Sequence, residues 1–292
     1  QEHTEEQFGQ KLPVLPGPGR GQEPYPGPRE HTGRLRLPII NNLNQYIMNN
    51  EQTIEKLKQM RLTAMAQLHL QYVRDNGVAD ITADEYLAML TDHQWEDRQN
   101  RKIQRLLKQA GFAQSANLAE VNYAQQRNLD RNMFARLGTL DFMARKENII
   151  LTGASGTGKS YLAQALGHQA CMMEHRAIYA NTARLFKRLK LCKVDGTYLK
   201  ELDKILKTDL LILDDFGLQS FDNHAREALM DIIDDRYNKA STIIASQIPV
   251  SAWYDIIGES TIADAILDRI VNSSHRLDLK GESLRKGIIK NA

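Results

Sequence analysis

From residue 148 onward the chain alternates short apolar runs with longer segments of helical periodicity. The candidate strands cover 148–152, 176–180, 209–213, 242–246 and 276–279, and the candidate helices cover 159–174, 182–191, 197–207, 223–239 and 262–272. Runs that are apolar throughout suit strands covered on both faces, and strand–helix alternation predicts an α/β fold with a parallel five-stranded sheet between helices. The pattern upstream is different. Ile54, Leu57, Ala64, Met65, Leu68 and Tyr72 recur at helical spacing through 51–75, with Asn76-Gly77 as a stop signal. Thr82-Ala-Asp-Glu85 is a capping-box pattern, and the helix it starts runs to Ala110, where Gly111 ends it. A small all-helical unit over 48–110 therefore precedes the α/β unit over 148–292. Residues 111–147 connect them with some helix, anchored by Phe112, Phe134 and Phe142.

Residues 1–47 share neither pattern. They hold seven of the eight prolines, in runs such as Pro13-Val-Leu-Pro-Gly-Pro, and this composition predicts a disordered, solvated extension. Met48 then opens the helical pattern as a start codon would, so 1–47 reads as an upstream addition. The 292 residues are 42% apolar, enough for one ordinary domain and a smaller one. A formal charge of only +2 means that any surface for DNA must be a local patch. Cys171 and Cys192 form neither a disulfide framework nor a metal-ligand set, and Cys171 reads as a small core residue. No apolar run approaches 18 residues and no signal peptide is visible, so a cytoplasmic protein with no membrane partner is expected.

The stretch that organises the chain is Asn148-Ile-Ile-Leu-Thr-Gly-Ala-Ser-Gly-Thr-Gly-Lys-Ser160, an apolar strand, a glycine-rich turn and the start of a helix. Gly153, Gly158, Lys159 and Ser160 occupy the fixed positions of G-x-x-x-x-G-K-[ST]. In such a loop the backbone N–H groups of Gly153, Ala154, Ser155, Gly156, Thr157 and Gly158 converge on phosphate oxygens, and the helix adds its positive N-terminal end. Lys159 reaches the β- and γ-phosphates, and the Ser160 hydroxyl ligates Mg²⁺, so ATP and Mg²⁺ are the expected cofactors.

The second signal is Asp209-Leu-Leu-Ile-Leu-Asp-Asp215, a buried strand that ends in two acids. Asp214 would hold Mg²⁺ through water opposite Ser160, and Asp215 would polarise the attacking water. A third strand, Thr242-Ile-Ile-Ala-Ser-Gln247, ends in polar side chains, so Gln247 or Ser246 could orient that water. Arg269 lies late in the helix before the last strand. It is either an arginine finger reaching a neighbouring subunit's γ-phosphate or a helix-end partner of Asp264 or Asp268. Arg285 follows the last strand and is either a phosphate contact in cis or tail charge.

Two helices carry basic faces. Arg98, Arg101, Arg105 and Lys108 advance by three or four, with Lys102 beside them. Arg184, Lys187, Arg188 and Lys190 crowd the helix after the second strand, with Lys193 beyond, while Phe186 reads as core. Both faces are either solvated surface or contacts to DNA phosphates. The DNA-binding set would be Arg101, Lys102, Arg105, Lys108, Arg184, Lys187, Arg188 and Lys190.

Taken together, these motifs resemble the IstB-type transposition helper ATPases, AAA+ proteins near the DnaC helicase loaders and the DnaA initiators. The resemblance covers about 48–290. It rests on the phosphate loop, Leu211-Ile-Leu-Asp-Asp-Phe-Gly217, Ser246-Gln-Ile-Pro-Val-Ser-Ala-Trp253, Leu267-Asp-Arg-Ile-Val-Asn-Ser-Ser-His275 and Lys280-Gly-Glu-Ser-Leu-Arg285. It implies an AAA+ core behind a helical N-terminal domain. It also implies an ATPase that assembles into a ring or spiral on double-stranded DNA and works with a transposase encoded by the same element. Two departures stand out. Asp215 replaces the usual Glu, one methylene longer, which implies slow hydrolysis, and Gln247 replaces the usual Asn. A DnaC-like helicase loader would share the core and bind its partner through 48–110. A small-molecule kinase would need an inserted lid, and none is visible.

Overall fold

A computed structural model describes residues 50–75, 81–123 and 127–284. Residues 1–47, Met48, the Asn76-Gly77 signal and Arg285 lie outside the described residues. Helices α1 (Asn50–Gln59), α2 (Thr63–Arg74) and α3 (Ala83–Ala110) come first. The helix expected through 51–75 is thus two helices. Arg61 adopts a left-handed φ of 59°, and the Leu62 N–H bonds back to the Leu57 carbonyl. The chain turns there, and α1 and α2 bury Ile54, Ala64 and Ala66. Apolar spacing stays in phase across the break, so periodicity alone does not reveal it. The start of α3 matches its capping box: the Glu85 N–H donates to Thr82 Oγ1 at 3.3 Å and the Thr82 N–H to Glu85 Oε2 at 2.8 Å. Gly111 ends the helix at φ 69°.

A 3₁₀ turn (Leu118–Glu120), α4 (Arg131–Gly138) and α5 (Asp141–Ala144) follow. The α/β region is β1 (Asn148–Gly153), α6 (Lys159–Met172), β2 (Ala177–Asn181), α7 (Thr182–Val194), α8 (Tyr198–Leu206), β3 (Leu210–Asp214), α9 (Asn223–Arg236), β4 (Ser241–Ser246), α10 (Trp253–Ile257), α11 (Ser260–Val271) and β5 (Ser274–Leu279). The expected strands and helices are all present, with ends moved by a few residues. Helix α10 is an addition, built on the fully buried Trp253, whose indole N–H donates to the Ile248 carbonyl at 3.0 Å.

The five strands are parallel in the order β2-β3-β4-β1-β5. Their side chains alternate between two cores. Ile149, Leu151, Leu210, Ile212, Ile243 and Ala245 pack against α6 and the end of α3, together with Phe134 and Phe142 from the joining segment. Ile150, Leu211, Leu213 and Ile244 pack against α7 to α11 on the opposite face. Both faces of β1, β3 and β4 are therefore dry, which explains their apolar runs, whereas the edge strand β5 carries the exposed Arg276 and Asp278. Among the described residues, no helix is long and apolar enough to cross a membrane.

Parallel strands send all their C-terminal ends to one edge. Gly153, Asp214 and Ser246 end β1, β3 and β4 there, and β4 lies between the other two. The opposite edge is closed by a buried guanidinium. Arg236 donates to the carbonyls of Ile205 (3.2 Å), Thr208 (2.8 Å) and Ser241 (2.5 Å) and to Thr242 Oγ1 (3.2 Å). Burial pulls its pKa down from the usual arginine range to about 10. Arg236→Met would take a donor from the Thr208 and Ser241 carbonyls in a dry site, while the Ile205 carbonyl keeps the Thr208 N–H and hydroxyl. The substitution should lower the free energy of unfolding by roughly 2–4 kcal/mol, read as a shifted midpoint in a urea titration. An unchanged midpoint would show that the guanidinium is not a structural tie.

Candidate nucleotide site

The loop joining β1 to α6 is shaped by glycine at positions that leave no room for a side chain. Gly153 has φ 141° and Gly156 has φ 82°. A Cβ on Gly153 would collide with the Leu279 carbonyl of β5, and one on Gly156 with Ser283. The Leu284 N–H donates to the Gly156 carbonyl at 2.9 Å, so the chain after β5 straps the loop in place. Gly158 begins α6 without a side-chain cap, which leaves the first N–H groups of that helix to an anion. The Lys159 ammonium is almost wholly buried and donates to the carbonyls of Gly153 (2.7 Å) and Ala154 (2.8 Å). The loop thus concentrates positive charge and unused donors, as a polyphosphate site requires.

Asp214 and Asp215 meet this loop from β3. Ser160 Oγ donates to Asp214 Oδ1 at 2.9 Å, and the Tyr179 hydroxyl to Asp214 Oδ2 at 2.7 Å. Burial, first, and the bond to Asp214 push the Tyr179 hydroxyl pKa far upward, so it stays a donor. The Asp215 N–H also donates to Asp214 Oδ1 (2.9 Å), and Asp215 sits in the left-handed region at φ 54°. Such strain in a non-glycine residue survives only where its surroundings hold it. Asn181 Nδ2 supplies part of that hold, donating to Asp215 Oδ2 at 2.9 Å. The other side-chain atom of the same residue, Asn181 Oδ1, accepts the Arg184 N–H at 3.2 Å and caps α7.

Gln247 and Asp215 line a cleft of about 260 Å³ with Gln114, Ser155, Lys159 and Tyr161. Of the two polar candidates at the end of β4, Gln247 faces this cleft. Ser246 is buried, donating to the Phe216 carbonyl at 2.7 Å and accepting the Ile248 N–H at 3.0 Å. A larger hollow of about 510 Å³ adjoins Asp215 from the other side, between α7 and the chain after β3. Its walls include Phe186, Leu191, Val194 and Phe221, so the smaller, more polar cleft is the better fit to a phosphate.

The residues fit Mg²⁺. Ser160 Oγ and the Asp214 carboxylate are two hard oxygens within 2.9 Å, the small protein share that this ion accepts when phosphates and water complete its shell. The described residues contain no cluster of three or more His, Cys, Asp or Glu side chains that would suggest another kind of metal site.

Sequence reasoning missed several contributors. Arg127 is buried, and its guanidinium donates to the Thr157 carbonyl at 3.2 Å and the Asn122 carbonyl at 2.8 Å, while its Nε has no partner. Gln164 is buried on α6. Its Oε1 accepts the N–H groups of Ala113 (2.7 Å) and Gln114 (3.2 Å), and its Nε2 donates to the Ser160 carbonyl at 3.1 Å. No motif marks these residues, and neither does Tyr179. Asn181 is legible as a helix cap but not as a partner of Asp215.

Other candidates lie apart from the cleft. Arg269 sits at the far end of α11, where the Asn148 amide donates to its carbonyl at 3.5 Å, beside the start of β1. Its guanidinium pairs with Asp234 of α9 at 2.9 Å, rather than with Asp264 or Asp268. On α3, Arg101 pairs with Asp97 (2.9 Å) and donates to Thr63 (3.0 Å), and Lys102 pairs with Glu174. On α7, Arg188 pairs with Glu201 (2.9 Å) and Lys190 with Asp222 (2.8 Å). Lys108, Arg184 and Lys187 are exposed.

The family model described as IstB-like ATP binding protein matches residues 55–292. The chain belongs to the IstB-like ATP-binding family. It is 42% identical over 234 residues to the insertion-sequence ATP-binding protein y4pL of Sinorhizobium fredii, covering 80% of this chain and 96% of that one. It is also 37% identical over 205 residues to the protein named for ATP binding in insertion sequence IS1162 of Pseudomonas fluorescens, covering 70% and 89%. Among solved structures, the replication initiator DnaA bound to AMPPCP and single-stranded DNA aligns with a TM-score of 0.51 at 20% identity, covering 62% of this chain and 55% of that one. The fold is accordingly that of an AAA+ P-loop protein, with a helical region ahead of the core.

In this IstB-like ATP-binding protein, Lys159 is the buried cation of the loop. Lys159→Ala should weaken ATP binding about 10- to 150-fold, the equivalent of roughly 1.5–3 kcal/mol for the charge-assisted bonds removed. Titration with a fluorescent ATP analogue reads it, and undiminished binding would remove the loop from the site.

Proposed function

We propose that this protein is a Mg²⁺-dependent ATPase that assembles on double-stranded DNA and regulates the transposase encoded by the same element. A DNA-directed ATPase of this kind works in the cytoplasm. The reading is supported chiefly by the bridge that Asn181 makes between Asp215 and the N terminus of α7, which joins the hydrolytic carboxylate to a basic helix. The relatives' own names, which tie them to insertion sequences, favour transposition over helicase loading.

The geometry supports the following roles. The loop N–H groups and Lys159 take the phosphates. Ser160 and Asp214 hold the ion, which neutralises phosphate charge when bound. Asp215 accepts a proton from water in the cleft, and Gln247 orients that water. With Asn181 bonded to it, Asp215 has one carboxylate oxygen occupied, so hydrolysis is slow until α7 moves. Asp215→Ala should therefore bind ATP normally while turnover falls roughly 10²–10⁴-fold, the usual loss for a general base. Asn181→Ala should raise basal turnover and shrink its stimulation by DNA. Turnover in the variant that still rises with DNA as in the wild type would detach α7 from the switch.

Arg269 is assigned to the neighbouring subunit's nucleotide. Its pair with Asp234 is half-exposed and worth about 0–1 kcal/mol, so release costs little. Arg269→Ala and Lys159→Ala should each be inactive alone and regain part of the activity when mixed, because some interfaces then join an intact loop to an intact finger. Normal hydrolysis by Arg269→Ala on DNA would refute the assignment. For the partner, insertion frequency is measured with the element's transposase, with and without this protein. Unchanged insertion together with impaired replication initiation would transfer the protein to helicase loading.

A further inference from the structure

Strand β2 is one edge of the sheet, and among the described residues no strand covers its outer side. The end of α3 stands on one side of it and α7 with α8 on the other. Between them lie two adjoining hollows, of about 640 and 380 Å³, which share Gln109, Ile178 and Lys204. Arg105, Arg176, Lys204 and Lys207 line the first, and Arg184 and Arg188 the second. The carboxylates lining them are Asp203 and Glu201. Six cations less two carboxylates leave +4 in the groove, against +2 for the whole chain. Glu201 is shared between Arg188 (2.9 Å) and Lys204 (2.8 Å), and Asp203 pairs with Lys207 (2.7 Å). Arg105, Arg176 and Arg184 make no ion pair among the described residues.

The two basic faces read from the sequence are divided by this arrangement. Arg105 of α3 and Arg184 and Arg188 of α7 face one groove, while Lys187 and Lys190 line the hollow on the far side of α7. Arg176, Lys204 and Lys207 join the groove from segments that carried no motif.

We propose that this groove is the DNA track, seating the phosphate backbone of one strand of a duplex along β2. The proposal rests on the DNA-dependent reading above and names the surface that reading requires. From first to last residue β2 is four steps, a track of about 13 Å at 3.3 Å per step. A single strand would be gripped by stacking its bases on aromatic side chains. The aromatic side chain lining the groove is Tyr179, whose hydroxyl is committed to Asp214. A duplex hides its bases and offers phosphates, which is what cations alone can hold. Tyr179 and Asn181 line the same end of the groove as Arg184, so a phosphate seated there is one side chain removed from Asp214 and Asp215.

The test neutralises Arg176, Lys204 and Lys207 together (Arg176→Gln, Lys204→Gln, Lys207→Gln), all exposed. A control removes the same charge elsewhere (Lys56→Gln, Lys58→Gln, Lys239→Gln). Binding to a random-sequence duplex is measured against salt concentration in the presence of a non-hydrolysed ATP analogue. The groove variant should bind more weakly, with the log–log salt slope reduced by about 0.9 for each phosphate no longer neutralised, and with ATP affinity unchanged; the control should match the wild type. A groove variant with the wild-type slope, set beside a Lys187→Gln, Lys190→Gln variant that fails to bind, would overturn the groove and leave the DNA reading standing. A wild type that binds no duplex would sink both. On the unsubstituted chain, duplex should protect Lys204 and Lys207 from acetylation, read by mass spectrometry. Equal labelling with and without duplex would also overturn the proposal, whatever the folding of the variants.

Discussion

Asp214 is a carboxylate almost wholly shielded from water, and a charge so placed must be surrounded by donors. Its side chain accepts from Ser160, Tyr179 and the Asp215 N–H, and its main-chain carbonyl accepts from Thr182 Oγ1 at 2.8 Å. Those partners belong to α6, β2, the end of β3 and α7. One desolvated group therefore sets the distance between the phosphate loop, the edge strand and the basic helix. Any rearrangement that moves α7 or α6 must replace one of these donors, at a cost of about 1–3 kcal/mol for a buried group left unpaired. The site consequently has few arrangements to choose between, which is the property a switch needs.

The N-terminal helices reach the same site by a different route. Directly after α3 ends at Gly111, Phe112 packs against α6, where Gly167 leaves just enough space: a Cβ there would strike Phe112 and Ile212. The next two N–H groups are held by Gln164, which also holds the Ser160 carbonyl. The end of α3 is thus bonded to the helix that carries Ser160. Arg105 of α3 lines one wall of the β2 groove, so that wall is tied through Gln164 to the helix that follows the phosphate loop.

The strand–helix alternation and both acidic and glycine signals were legible because each is local: a run of apolar residues, a fixed spacing, a cap. Gly153 to Ser160 and Asp214 were readable for that reason, and Gln247 half so, since sequence left Ser246 as an equal alternative until burial separated them. The turn at Arg61 was not legible, because two helices in phase look like one. Arg127 and Gln164 were not legible either, since their roles depend on which carbonyls and amides lie beside them after folding. The basic residues show the same limit most clearly. Spacing put Arg184, Lys187, Arg188 and Lys190 on one helix, but the position of β2 decides which of them share a groove.

The parallel sheet also constrains how subunits could share work. The loop lies at the C-terminal end of β1 and Arg269 beside its N-terminal end, about 17 Å apart at 3.3 Å per residue. One subunit cannot bring its own Arg269 to its own phosphates without dismantling α11. If Arg269 completes a neighbour's site, as proposed, and it and the loop lie on different faces, the contact joins two unlike faces of the same protein. A contact of that kind is head-to-tail, so it cannot stop at a two-fold dimer and must continue. It closes into a ring when the rotation between subunits closes and runs on as a helix when it does not. A helix that follows a duplex would repeat the β2 groove along the DNA, which makes many weak phosphate contacts act as one.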